Sequence, residues 1–116
     1  MEAREAQMAR DAGLEELLRE ELGRRPGLRE KGMFGGWAFL LNGHLMCGAR
    51  DDGMLIRLGK GNDAWALEQR DVKPMQLGGR KMLGWVRAGP DAYGNDMLRK
   101  RLLLAALDFV EGLPPK

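Results

Sequence analysis

The stretch from Lys31 to Leu58, KGMFGGWAFLLNGHLMCGARDDGMLIRL, sets the fold. Apolar runs of strand length alternate there with Gly35-Gly36, Asn42-Gly43 and Asp52-Gly53, residue types that tolerate the backbone of tight turns. Asn42-Gly43 is the strongest signal, because a two-residue type I′ hairpin turn needs positive φ at both central positions. With these two residues in the turn, Leu41 opposes His44, Phe39 opposes Met46 and Trp37 opposes Gly48, all on one side of the sheet. Ala38, Leu40, Leu45, Cys47 and Ala49 line the other. A further turn at Asp52-Gly53 adds Met54, Ile56 and Leu58 to the Cys47 side and places Leu55 and Arg57 with Trp37, Phe39 and Arg50. Both faces are thus apolar, unlike those of a one-sided antiparallel sheet. Helices are expected on the smoother aliphatic face. The face of Trp37, Phe39, Leu41 and Met46, rimmed by Arg50 and Arg57, is then left for a partner protein or a second copy of the chain.

N-terminal to this stretch, Leu14, Leu17, Leu18 and Leu22 recur at helical spacing before Gly23, a C-cap residue type. The pattern predicts a helix over Glu2 to Leu22, firm from Leu14, with Asp11 as an alternative N-cap and residues 1–12 as a frayed extension. Arg24-Arg25-Pro26-Gly27 ends it, and a short strand is expected from about Arg29 to Phe34. C-terminal to the stretch, Asn62 is expected to cap a short helix through Gln69 that buries Trp65. Met75 to Leu77 and Lys81 to Ala88 read as a second hairpin around Gly78-Gly79. Gly89-Pro90-Asp91 is a turn, and Asn95 or Asp96 opens a last helix carrying Leu98, Leu102, Ala105, Ala106 and Phe109 on one face. The fold class is α+β: an antiparallel sheet of about five to six strands with helices packed on it, in the order α-β(3)-α-β(2)-α.

Length and composition bound the function. At 116 residues with 44% hydrophobic and 31% charged side chains, the chain is expected to form one domain over residues 1–116. No run approaches the roughly 18 apolar residues needed to span a bilayer. The N-terminus has neither the apolar core of a secretory signal nor the acid-free composition of a transit peptide, so the expected location is cytoplasmic. The lone Cys47 has no intrachain partner and fits a reducing compartment. A net charge of +2 diluted by 17 carboxylates is not the concentrated basic face of a dedicated nucleic-acid binder.

The residues offer no convincing catalytic set. His44 and Cys47 stand three apart on one strand, which projects them from opposite faces of a regular hairpin and prevents a dyad. Metal ligands are too few for a structural zinc site, and no cofactor is expected. Gly59-Lys60-Gly61-Asn62-Asp63-Ala64 matches a dinucleotide pattern, but its helix is short, the preceding strand belongs to a meander, and Gly84 stands where a ribose-binding acid belongs. Gly59, Lys60, Gly61 and Asn62 are kept as a candidate anion or small-ligand loop. Asp51-Asp52 reads as a solvated turn. Arg80, Lys81 and Arg87, interleaved with Trp85, form an alternative nucleic-acid contact. Arg99-Lys100-Arg101 reads as a solvated helix face.

Four stretches, Met33-Phe34-Gly35-Gly36, the Asn42-Gly43 hairpin, Gly79-Arg80-x-Met82-x-Gly84-Trp85-Val86 and Leu113-Pro114-Pro115-Lys116, together resemble the TfoX/Sxy N-terminal domain family, from about Gly13 to the end. The resemblance implies a secretion-chaperone-like α+β domain in a stand-alone member without the family's C-terminal domain. It also implies kinship with bacterial competence regulators that work with a transcription activator. The family supplies no catalytic residues. The expected function is therefore a non-enzymatic regulatory or adaptor role through protein contacts, with transcription machinery as the implied partner class.

Overall fold

Asn42 and Gly43 adopt φ of +54° and +86°, the pair of positive values that a type I′ turn demands. They join β2 (Gly36–Leu41) to β3 (His44–Arg50). A computed structural model describes residues 10–33 and 35–116. The expected helical extension over residues 1–9 and the strand end at Phe34 lie outside the described residues. The order around the hairpin is α1 (Ala12–Leu22), β1 (Leu28–Met33), β2, β3, β4 (Gly53–Arg57), α2 (Ala64–Leu67), β5 (Val72–Leu77), β6 (Arg80–Ala88), α3 (Pro90–Tyr93) and α4 (Asp96–Glu111). The six strands form one antiparallel sheet ordered β1-β2-β3-β4-β6-β5. This is the expected α+β class, with four strands rather than three ahead of the short helix and the additional turn of helix α3 before α4.

One residue decides which face the helices cover. Leu41 opposes His44 and Leu40 opposes Leu45, as a two-residue turn dictates, but Phe39 then opposes Cys47 and Trp37 opposes Ala49. Met46 is the extra residue of a β-bulge. Because side chains alternate with a period of two, this slip of one residue moves Cys47 and Ala49 onto the side of Trp37, Phe39 and Leu41. The β3–β4 turn also differs, since Arg50 opposes Gly53 and the turn residues are Asp51-Asp52 rather than Asp52-Gly53. That slip is of two residues and leaves the faces unchanged. Met54 and Ile56 therefore stay with Ala49 and Cys47, as expected.

The helices pack on this combined face. Leu14, Leu18 and Leu22 of α1 and Leu102, Leu103, Ala106, Leu107 and Val110 of α4 form one buried cluster with Phe39, Leu41, Met46, Cys47, Met54, Ile56 and Val86. Each fully buried leucine contributes about 1.5–3 kcal/mol of transfer free energy. Capping follows the sequence: the Asp11 side chain accepts from the Leu14 N–H, and Asn95 Oδ1 accepts from that of Leu98, both at 3.0 Å. Gly23 closes α1 at φ +60° with its N–H on the Arg19 carbonyl.

Two local expectations change. The helix expected to run from Asn62 to Gln69 is the single turn Ala64–Leu67, preceded by Asp63, because the Asn62 amide donates to the Leu58 carbonyl instead of capping. Trp65 is half-buried, with Arg101 stacked 4.1 Å from its ring centroid. Lys100 and Arg101 are solvated as expected, but Arg99 is buried between α1, α3 and α4. Its guanidinium reaches Glu21 at 2.8 Å, Asp96 at 3.0 Å and the Tyr93 carbonyl at 2.9 Å, which satisfies the charge that burial would otherwise strand. The short α3 occupies the expected Gly89-Pro90-Asp91 turn, with Pro90 at its first helical position, where no N–H is needed.

Candidate functional site

The face expected to await a partner is the core. Phe39, Leu41 and Met46 are 0%, 3% and 0% exposed, because the bulge at Met46 joins their side of the sheet to the aliphatic side that the helices were expected to cover. Trp37 is half-buried at the margin of this core. Its indole N–H donates to Glu30 Oε1 at 2.7 Å, and the Arg10 guanidinium lies 4.3 Å from its ring centroid. Glu30 is also bonded by Arg19 at 2.6 Å. Arg19, aided by the Trp37 N–H, holds the Glu30 carboxyl below its ordinary range against the opposing effect of burial. Phe39, Leu41 and Met46 are thus corrected from interface to interior, and Trp37 to the margin of the core.

Of the expected rim, Arg50 lies on the opposite face, which carries none of the described helices, and Arg57 alternates onto that side at the end of β4 while its guanidinium reaches to 5.5 Å from the ring centroid of Phe109 in α4. On that opposite face Leu55 packs with Met75 and Trp85 in a second apolar cluster joined by half-buried Leu45 and Met82. No helical residue among the described residues belongs to it. Leu40 is half-buried on the same side. Arg50 forks onto Asp52 at 2.8 and 2.9 Å. Arg57 donates to the Leu45 carbonyl at 3.2 Å, and Arg87 to that of Asp52 at 2.6 Å. Arg50, Lys73 and Arg87 border a shallow depression of about 380 Å³. The face is an apolar patch held within a frame of oriented guanidiniums.

The other candidates separate. Arg80 and Lys81 are exposed beside the Gly78-Gly79 turn, whereas Arg87 stands seven residues further along β6, on the order of 20 Å away at strand rise. The sheet does not gather the three into one phosphate-binding surface. At the Gly59 loop, the Gly59 N–H is spent on the Gly84 carbonyl at 3.1 Å, and that of Asn62 on the Gly59 carbonyl at 3.0 Å. A one-turn helix supplies no field to compensate. The loop instead docks on β6: a Cβ at Gly84 would stand 2.6 Å from the Gly59 carbonyl carbon.

The bulge also places His44 and Cys47 on the same side of the sheet, contrary to expectation, but they make no dyad. His44 Nε2 donates to the Pro114 carbonyl at 2.6 Å. The Cys47 thiol is 1% exposed, and burial pushes its pKa up to about 12. Cys47 is therefore expected to react with a thiol reagent at least about 100-fold more slowly in the native protein than in denaturant, since only the thiolate attacks. Equal rates, followed by absorbance of the released chromophore, would contradict its place in the core.

Among the described residues, no group of three or more His, Cys, Asp and Glu side chains is placed to hold a metal ion, and no helix is long and apolar enough to cross a membrane. The tail folds back on the first hairpin, where the Lys116 N–H donates to the Asn42 carbonyl at 3.0 Å. Of the signature stretches, the Asn42-Gly43 turn thus packs against the tail at Lys116, and Gly84 against the Gly59 loop. The model of the TfoX N-terminal domain family matches residues 20–110. No curated protein and no solved structure matches the chain.

Proposed function

Because the chain belongs to the TfoX N-terminal domain family, we propose that it is a cytoplasmic, non-enzymatic regulatory or adaptor domain that works through protein contacts. The observation supporting this reading is the sheet face that carries none of the described helices, where Leu40, Leu45 and Met82 surround the Leu55, Met75 and Trp85 cluster and Arg50 and Arg87 stand at the rim. Apolar centres with arginine at their margins are the usual composition of protein interfaces. Transcription machinery is the partner class that the resemblance to competence regulators implies.

Capture of partners from the host cytosol tests the proposal. Leu40→Glu and Leu45→Glu are expected to keep the native circular dichroism while lowering recovery of the partner at least about tenfold, the scale of one interface anchor lost. Undiminished recovery with both variants would overturn this use of the face. Binding to duplex DNA that weakens steeply with salt, with no protein captured, would favour phosphate contacts instead.

A further inference from the structure

The sheet has two edges, β1 and β5. β5 is blunted: Pro74 lacks an N–H, and the ladder slips between Pro74 and Gln76, both devices that deter strand addition. β1 has neither, and pairs with β2 in unbroken register from Leu28–Leu41 to Met33–Gly36. One bond fixes the direction of its main-chain groups. Asn42 donates its N–H to the Gly27 carbonyl at 3.0 Å, so Gly27 and Asn42 form a hydrogen-bonded pair. By the alternation of an antiparallel ladder, Arg29, Lys31 and Met33 bond inward to β2, whereas Glu30 and Gly32 direct N–H and C=O outward. Such an alternating row of donors and acceptors suits a peptide strand.

The side chains along this edge define what it takes. Arg24, Arg25 and Arg29 border an open groove of about 540 Å³ between the end of α1 and β1. Arg19 in the same groove is neutralised by Glu16 and Glu30, each at 2.6 Å. Arg24, Arg25, Arg29 and Lys31 form no ion pair among the described residues. A second copy of this chain is the wrong occupant. Outward residues can oppose only outward residues, so the two symmetric registers with the longest overlap set Glu30 against Glu30 and Arg29 against Lys31, or Lys31 against Lys31. Like charges directly opposite are destabilising in both.

We propose that β1 docks an extended acidic segment of a partner protein, which adds as an antiparallel strand with carboxylates opposite Arg29 and Lys31. These are the non-hydrogen-bonded positions of the new pair, where cross-strand side chains approach most closely. The proposal rests on the reading that the chain acts through protein contacts, and supplies the chemistry of one partner segment.

Fluorescence anisotropy with a labelled peptide of about ten alternating Val and Glu residues, the length of a long strand, tests it on the full chain. Saturable binding is expected, weakened at least about tenfold when the peptide amides facing β1 are N-methylated at unchanged charge, as for two lost hydrogen bonds. The Gly32→Pro variant, which removes one outward donor, is expected to weaken binding similarly. Reversing charge with Arg29→Glu and Lys31→Glu should transfer preference to the Lys counterpart of the peptide. No saturable binding, binding indifferent to N-methylation, or tighter binding of a single-stranded oligonucleotide would each overturn the proposal. Leu45→Glu lies on β3, which does not pair with β1, and leaves this edge untouched, whereas Leu40 opposes Arg29. Failure here is therefore distinguishable from failure of the open-face reading.

Discussion

The Phe39→Glu variant is expected to be unfolded under conditions where Leu40→Glu keeps a cooperative urea transition. The two residues are neighbours on one strand, yet Phe39 is 0% exposed beneath the helices and Leu40 is half-buried on the face that carries none of the described helices. Losing a buried phenylalanine costs about 3–5 kcal/mol, and an uncompensated charge left in the core costs about as much again. The sum rivals the whole stability of a domain, about 5–15 kcal/mol. At Leu40 the carboxylate reaches water, and the loss should stay near 1–2 kcal/mol, the scale of an ordinary point substitution. Without the bulge the Phe39 side of β2 would oppose the Cys47 side of β3. Urea titrations of both variants therefore measure the register directly, and equal transition midpoints would refute the core assigned here.

The contrast also shows what was legible in the chain. Both glycine-bearing hairpin turns were readable because their backbone requirement is local: Asn42-Gly43 and Gly78-Gly79 all take positive φ, which few other residues accept. The caps at Asp11 and Asn95 were readable for the same reason, since a side chain reaches only its own first turn. The bulge at Met46 was not. Nothing in Leu45-Met46-Cys47 departs from ordinary strand composition, and Met46 becomes the extra residue only because the helices need Phe39, Cys47 and Ile56 on one side. A tertiary demand thus overrode a correct turn. Arg99 escaped notice similarly, because its neighbours Lys100 and Arg101 are solvated and its partner Glu21 lies on another helix. Arg50 and Arg57 were identified as rim residues, but around the wrong apolar centre.

That error is instructive about the candidate site. Trp37, Phe39 and Leu41 drew attention because large aromatic and aliphatic side chains at alternate positions dominate interfaces as well as cores. Size cannot separate the two roles. Ala38, Leu40 and Gly48 mark the side that carries none of the described helices, where Arg50, Arg57 and Arg87 are each held by a carbonyl or a carboxylate. Guanidiniums fixed in this way lose little further freedom on binding, which is how an apolar patch of modest exposure can serve as a contact.

Gly84→Ala is expected to lower the free energy of unfolding by about 2–5 kcal/mol, whereas Gly79→Ala in the same signature stretch should lose about 1–2 kcal/mol. Both glycines have positive φ, +82° and +79°, a conformation that costs an L-residue about 1–2 kcal/mol. Around Gly79 an added Cβ meets nothing within 4 Å. At Gly84 it would stand 2.6 Å from the Gly59 carbonyl carbon and 2.7 Å from the Lys60 nitrogen, both main-chain atoms that no rotamer change can remove. The loop cannot retreat either, because a Cβ at Gly59 would itself lie 2.5 Å from the Phe109 ring of α4. Overpacking of this kind adds about 1–3 kcal/mol. The Gly59 loop is thus clamped between β6 and α4, with the Leu58 and Gly59 N–H groups both on the Gly84 carbonyl. If guanidinium titrations show equal small losses at the two positions, the loop is free, and its amides regain the capacity to hold an anion. A large loss confined to Gly84 identifies this glycine as the lock between the last hairpin and the helical layer, and leaves the face opposite the described helices and the β1 edge to do the binding.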